Sequence, residues 1–256
     1  MDSSDYVLIA LRKVIDRNGL FLAWSGRELV GMTNFEPCID GAGWLSMART
    51  DPAWRRRGVA LFLQQQIAKH ARRTKINPLR LWITSNNLPS IRACEKGGFT
   101  RVCEAAHIHA NLRGKRKVTP RIPAPASRTL VELCLESDYL TRMNGYMGRQ
   151  WHFLKPTRQL LTHLGKQGEL YEVDDSVLLV TEPEKRFRQP QSSLTVLSGS
   201  PTEALRAGKE IARGRRAKVL SCYIPYDRYQ LSLARKLGFR RRPWGKHCIV
   251  FEKQAN

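Results

Sequence analysis

The segment Glu95-Lys96-Gly97-Gly98-Phe99-Thr100-Arg101 returns in altered form as Arg235-Lys236-Leu237-Gly238-Phe239-Arg240-Arg241, 140 positions further on. In each copy a short helical pattern runs into glycine, then a phenylalanine, then the start of an extended run. Glycine after a helix permits the left-handed conformation that ends it. The order around each copy also recurs: helix, two short strands, a third strand, a turn, a helix, a strand, a short helix, Gly-Phe, a strand. Recurrence of a whole order constrains the chain more than any single element does, and it implies two copies of one domain.

The periodicities place the elements. Residues 5–17 carry helical spacing behind the potential cap Ser4. Strands are expected at 20–24 and 28–34 around Ser25-Gly26, and at 43–50 before Asp51-Pro52. From Gly58 the period changes, with Ala60, Leu63, Ile67, Ala68 and Ala71 on one helical face. A buried strand at 79–84, a short helix at 90–96 and a strand starting at 99–104 follow. Residues 113–127, RGKRKVTPRIPAPAS, read as a basic, proline-containing linker. Beyond it the expectations are a strand at 129–135, a helix near 157–165, and strands at 169–173, 177–181 and 194–197. A helix at 202–213, a strand at 217–223, a helix at 229–237 and a strand at 247–252 complete the chain. The fold class is therefore α/β (α+β), a mixed central sheet in two tandem copies, with domains at 1–112 and 128–256.

Charge is the strongest compositional signal. The net charge is +22, of which +7 lies in residues 1–112 and +15 in 113–256. Such a chain either suits anionic partners, namely nucleic acid, an acidic protein or a phosphorylated cofactor, or carries its charge as a solubility device. No apolar run reaches the roughly 18 residues of a membrane helix. The acidic start Met1–Asp5 does not read as a signal peptide. The six cysteines form no Cys-x-x-Cys pair, so neither zinc nor a disulfide framework is expected, and a cytoplasmic location fits.

The stretch Asp51-Pro52-Ala53-Trp54-Arg55-Arg56-Arg57-Gly58-Val59-Ala60 joins a strand to a helix. Cations at a helix start oppose its dipole. The run is thus either a solvated surface or an anion site, where free N–H groups and a small-residue turn admit phosphate. It lacks the Gly-Lys-Ser/Thr end of a P-loop and the first two glycines of a dinucleotide fingerprint.

Together with Asn87-Leu88-Pro89-Ser90-Ile91-Arg92-Ala93-Cys94-Glu95-Lys96-Gly97-Gly98-Phe99, this stretch resembles the GCN5-related N-acetyltransferase (GNAT) superfamily over roughly residues 20–104. The resemblance implies an acetyl-CoA-dependent enzyme that needs no metal and acts on an amine acceptor. Arg55, Arg56, Arg57, Gly58, Val59 and Ala60 would hold the CoA pyrophosphate. Ala48 and Thr50 would bind pantetheine and the acetyl carbonyl through their main chain, and Asn87 would contact pantetheine. A splay between strands 43–50 and 79–84 would admit the thioester.

Cys94 stands where the family's general-acid tyrosine usually stands; it is either that acid or a packing residue. Glu36, Asp40 and Asp51 are candidate bases or plain loop carboxylates. His107 and His109 either border an acceptor site, bind metal or pack. Trp44, Trp54 and Trp82 either line a cleft or fill the core. Family members usually carry a strand and a helix ahead of the helix at 5–17, so either the fold starts short or the other half supplies the missing strand. The second copy has Ser198-Gly199-Ser200-Pro201-Thr202 in place of the arginine turn and Asp227 in place of Asn87, which implies a degenerate, non-catalytic domain. Its clusters Arg213–Arg216 and Arg240–Arg242 are a solvated face, a partner surface or contacts to the first domain. The alternative to an enzyme is a GNAT-like module that binds nucleic acid or another anionic partner through this basic half.

Overall fold

The computed structural model describes residues 7, 11, 14, 15, 18–112, 121–186, 189–243 and 245–255. The basic part of the expected linker, 113–120, and much of the expected helix 5–17 lie outside these. Of that helix, residues 7, 11, 14 and 15 are helical, and Val7, Leu11 and Val14 pack with Met32 and Met47. The elements up to residue 112 are β1 (Leu20–Ser25), β2 (Glu28–Pro37), β3 (Gly43–Thr50), a 3-10 turn (Pro52–Trp54), α1 (Val59–Arg73), β4 (Leu79–Thr84), α2 (Leu88–Lys96) and β5 (Thr100–Asn111). After residue 121 come α3 (Arg128–Leu135), α4 (Asp138–Arg142), β6 (Met147–Arg149), β7 (His152–Leu154), α5 (Arg158–Lys166), β8 (Leu170–Val173), β9 (Ser176–Val180), β10 (Glu184–Arg186) and β11 (Gln189–Ser198). The chain closes with α6 (Pro201–Gly214), β12 (Val219–Pro225), α7 (Arg228–Lys236), β13 (Arg240–Arg241) and β14 (Cys248–Lys253).

The chain forms two compact units, and neither is continuous in sequence. The first takes in residues 1–83, 87–102 and 250–256; the second takes in 84–86 and 103–249. The boundary read at 113–127 falls inside the second unit, because each unit incorporates a strand from across it. In the first, the order is β1-β2-β3-β4, with β14 beside β4. In the second it is β5-β12-β11-β9-β8, and β5 pairs antiparallel with β12 from Val219↔Asn111 to Pro225↔Ala105.

Within each unit the same pattern appears. In the first, β1–β2 and β2–β3 are antiparallel and β3–β4 is parallel. In the second, β8–β9 and β9–β11 are antiparallel and β11–β12 is parallel. A helix follows the third strand of each set, as a parallel connection requires. The repeated heptapeptide has one backbone design. Gly98 and Gly238 are left-handed, with φ of +81° and +79°. The next residues, Phe99 and Phe239, are buried, and their N–H groups donate to the carbonyls of Cys94 and Ala234.

One sequence expectation is overturned. Residues 129–135 are not a strand but helix α3. The Ser127 hydroxyl accepts from the Leu130 N–H at 3.2 Å, and the buried Leu130, Val131 and Cys134 share one helical face. A cap and a 3.6-residue apolar period outweigh the β-leaning composition.

Candidate functional site

The carboxyl ends of β3 and β4 carry the features the sequence singled out. The two strands are parallel but pair only at Gly43↔Leu79 and Trp44↔Arg80. From Leu45 onward β3 has no ladder partner on that side, so the splay expected from sequence is present. Because the strands run the same way, the turn after β3 and the turn after β4 lie at the same edge of the sheet. The first leads to Gly58 and the second to Asn87.

β3 is also kinked. Between Met32↔Arg49 and Asn34↔Ser46, β2 uses one residue where β3 uses two, Met47 and Ala48. Met47 has φ of +57°. Such a bulge leaves one residue out of the ladder and redirects the strand. The Thr33 hydroxyl donates to the Ser46 carbonyl at 3.2 Å, and Asn34 Nδ2 donates to Ser46 Oγ at 3.1 Å, which brace it from β2. Ala48 is exposed, its carbonyl accepting from Arg49 Nη1 at 2.9 Å, and Thr50 faces Gly31. No residue-type signal marks the bulge, since methionine has no preference for positive φ.

The turn itself is built for an open helix start. Asp51 caps the 3-10 turn, its carboxylate accepting from the Ala53 N–H at 2.8 Å; among the candidate bases it is therefore a loop cap. Arg56 and Gly58 take left-handed φ of +64° and +84°. Gly58 is the N-cap of α1, where no side chain caps the helix and no acidic residue stands in the first turn. A β-carbon built on Gly58 meets nothing within 4 Å. The first N–H groups of α1, from Val59 and Ala60, are thus left to an outside acceptor. Arg55, Arg56 and Arg57 are exposed, and the Arg57 guanidinium lies 5.1 Å from the Trp54 ring centroid. Trp54 is therefore a half-buried platform, whereas Trp44 is core.

Asn87 is exposed and caps α2, its Oδ1 accepting from the Ser90 N–H at 3.3 Å. Cys94 lies on the buried face of the same helix, where Gln64 Nε2 of α1 donates to its sulfur at 3.6 Å. Burial, moderated by that hydrogen bond, pushes its thiol up to about 12. A proton held that tightly is a poor one to donate at neutral pH. Of the two sequence readings, this surrounding is that of a packing residue. Gln64 carries no motif that would mark it in the sequence.

The remaining candidates have structural surroundings. Asp40 forms an ion pair with Arg80, which also meets Glu252 at 2.7 Å, and the side chains of Arg80 and Asp40 are 3% and 2% exposed. Asp40 is thus committed to a buried triad that ties β14 and the 38–42 loop to β4. Glu36 lies half-buried on β2 opposite Trp44. His107 stacks on Tyr223 at 4.3 Å and meets Trp151 edge-on at 5.4 Å. Burial, then Arg242 and His109, hold its pKa well below the ordinary 6.5. No cluster of three or more His, Cys, Asp or Glu suited to a metal occurs among the described residues.

The second copy closes both features that the first leaves open. Ser200 caps α6, its hydroxyl accepting from the Glu203 N–H at 3.4 Å, and Glu203 places a carboxylate in the first turn. At Gly199 a β-carbon would come within 2.0 Å of the Asp175 carbonyl oxygen, so no ligand can approach there. Strands β11 and β12 pair over four positions, Gln191↔Val219 to Leu194↔Cys222. Beyond them the chain's own segment 137–154 moves in. The Ser137 hydroxyl donates to the Leu197 carbonyl, Thr195 Oγ1 donates to the Gly148 carbonyl at 2.6 Å, and Gly148 abuts the Tyr223 ring.

An open sheet with a splayed parallel pair, a strand bulge and an uncapped glycine-led helix defines a mixed α/β acyltransferase-type fold. Residues 2–99 match the model of the acetyltransferase (GNAT) family, whose members use acetyl-CoA. Solved structures share the fold across nearly the whole chain. A protein from Thermoplasma acidophilum provisionally described as an acetyltransferase is 16% identical, with a TM-score of 0.62 over 99% of this chain and 85% of its own. A GCN5-related N-acetyltransferase from Sphaerobacter thermophilus is 14% identical, with a TM-score of 0.59 over 96% of this chain and 86% of its own. No curated protein matches the sequence.

Proposed function

We propose that the first unit transfers an acetyl group from acetyl-CoA to a primary amine, and that the second unit is non-catalytic. One observation carries the reading: α1 starts uncapped behind a left-handed glycine with open space around it, at the end of a strand that parts from its parallel neighbour after two residues. Val59 and Ala60 would offer main-chain N–H groups to the pyrophosphate, with Arg55, Arg56 and Arg57 adding positive charge. Ala48 and Thr50 would align the pantetheine arm along the free side of β3, and Asn87 would meet it from the neighbouring turn. Acetyl-CoA supplies an activated acyl carbon when bound.

What the chain contributes is placement and a dipolar environment. Holding the amine against the acyl carbon replaces a bimolecular encounter by a positioned one. Main chain left out of the ladder at Met47–Ala48 is suited to stabilise negative charge developing on the carbonyl oxygen. The amine must be neutral to attack, which is easier for an α-amine of pKa about 7.7–8.0 than for lysine at about 10.4. The new C–N bond would replace the C–S bond, the amine's proton would pass to solvent, and the departing CoA thiolate would take a proton from water, with the buried Cys94 taking no part. The six free cysteines, five of them buried, suit a reducing cytoplasm.

The test is a thiol-release assay with acetyl-CoA and a panel of amino acids, polyamines, peptides and aminoacyl-tRNA. Turnover with at least one amine is expected. Absence of both turnover and thermal stabilisation by millimolar acetyl-CoA would sink the proposal.

A further inference from the structure

In the second unit, α7 and β13 border a cavity of about 480 Å³, whose lining includes the apolar Ile108, Leu231 and Phe239 and the cationic Arg235, Arg240 and Arg241. The corresponding corner of the first unit is self-neutralised. There Glu95 accepts from Arg101 Nε at 3.0 Å and from Nη2 at 2.8 Å. At the repeat offset, Glu95 becomes Arg235, Thr100 becomes Arg240 and Arg101 becomes Arg241. The second copy has thus exchanged an ion pair for three cations around an apolar-walled hollow.

These three arginines differ from others in their unit. Arg142, Arg149, Arg158, Arg206 and Arg215 each meet a carboxylate. Arg235, Arg240 and Arg241 are exposed and make no ion pair with any described residue. The stretch from Arg228 to Pro243 contains no aspartate or glutamate. Arg242, which the sequence grouped with them, is half-buried and donates from Nη2 to Gln191 Oε1 at 2.9 Å, so it does not belong to this surface. Mutual repulsion among three neighbouring guanidinium groups is relieved by an external anion, and forked guanidinium groups suit phosphate.

We propose that this corner binds single-stranded RNA, with phosphates on Arg235, Arg240 and Arg241 and a nucleoside against the half-buried Leu231. Charge complementarity chooses the ligand's sign. The apolar surface of Leu231 beside the three cations favours a strand whose flat bases accompany each phosphate over a chain of carboxylates. The inference is independent of acetyl transfer.

Fluorescence anisotropy with a labelled 12-nucleotide oligouridylate tests it across a salt series. The triple change Arg235→Glu, Arg240→Glu, Arg241→Glu should weaken binding more than about tenfold and lower the salt slope by about 2, roughly 0.7 for each phosphate no longer neutralised. An equal charge change on the first unit, Arg72→Glu, Arg73→Glu, Lys75→Glu, should cost less than about threefold. Arg235→Glu alone recreates the Glu95–Arg101 pairing with Arg241, so it should hold or raise the melting temperature while weakening RNA binding. Acetyl-CoA stabilisation should be unchanged in all of these variants. Equal losses in the two triple variants would overturn the proposal in favour of diffuse charge. Equally tight competition by polyglutamate would overturn it in favour of an acidic protein, and full competition by AMP in favour of a free nucleotide.

Discussion

Gly58→Glu separates ligand exclusion from damage to the fold. Gly58 has φ of +84°, and a β-carbon there meets nothing within 4 Å. The new side chain therefore clashes with nothing, and the cost is backbone strain of roughly 1–2 kcal/mol for an L-residue in the left-handed region. A carboxylate at a helix start returns about 0.3–1 kcal/mol through the dipole. The ligand-free protein should thus lose about 1 kcal/mol, or about 2–4 °C in melting temperature. Acetyl-CoA at a hundred times its Kd should stabilise the wild type by about 2.7 kcal/mol, a rise of about 5–10 °C by the same conversion. In the variant that rise should vanish, because the carboxylate occupies and repels the place of the pyrophosphate. Gly58→Ala carries the strain without the compensating charge, so it should lose slightly more in the ligand-free state, about 1–2 kcal/mol, while keeping part of the rise. Differential scanning fluorimetry with and without acetyl-CoA reads all three proteins. A full ligand-induced rise in Gly58→Glu would refute the assignment of the α1 start as the anion site. Ser200→Ala, which removes the corresponding cap in the second copy, should leave the acetyl-CoA rise intact.

Three further outcomes are expected. Arg80→Met leaves Asp40 and Glu252 as buried carboxylates without their cation and should cost about 3–5 kcal/mol in urea unfolding; a loss below about 1 kcal/mol would show that the triad is dispensable. His107 is held neutral when folded and protonates near 6.5 when unfolded, so the unfolded chain binds the extra proton. Stability should therefore fall as pH drops below about 6.5, by up to about 1.4 kcal/mol per pH unit from this residue, and His107→Phe should flatten that slope. Cys94→Ala should change kcat far less than the hundredfold or more typical of losing a general acid, and native Cys94 should resist iodoacetamide at pH 7.5 because its thiol is pushed up to about 12.

Much of the fold was legible because it rests on local patterns. The apolar face of α1, the edges of β3 and β4, and the Gly-Phe terminators of α2 and α7 follow from side-chain period and from glycine's access to positive φ. The open start of α1 was legible for the same reason: Gly58 and the absence of a capping side chain are properties of the local sequence. Helix α3 was misread because its β-branched and aliphatic residues look strand-like until Ser127 is seen to cap them.

What the sequence determined by itself was most of the element order up to residue 112, the repeat of its Gly-Phe terminator, and the open glycine-led turn after β3. Tertiary structure alone decided which strands complete which sheet, since β5 and β14 find their neighbours among residues more than a hundred positions away, beyond the reach of any local pattern. It also decided the fate of individual polar groups. Asp40 became half of a buried ion pair, His107 a stacked ring, Cys94 a packed thiol, and the second copy's strand gap a slot for residues 137–154. Desolvation and partner geometry set these roles, and both depend on what the folded chain brings into contact.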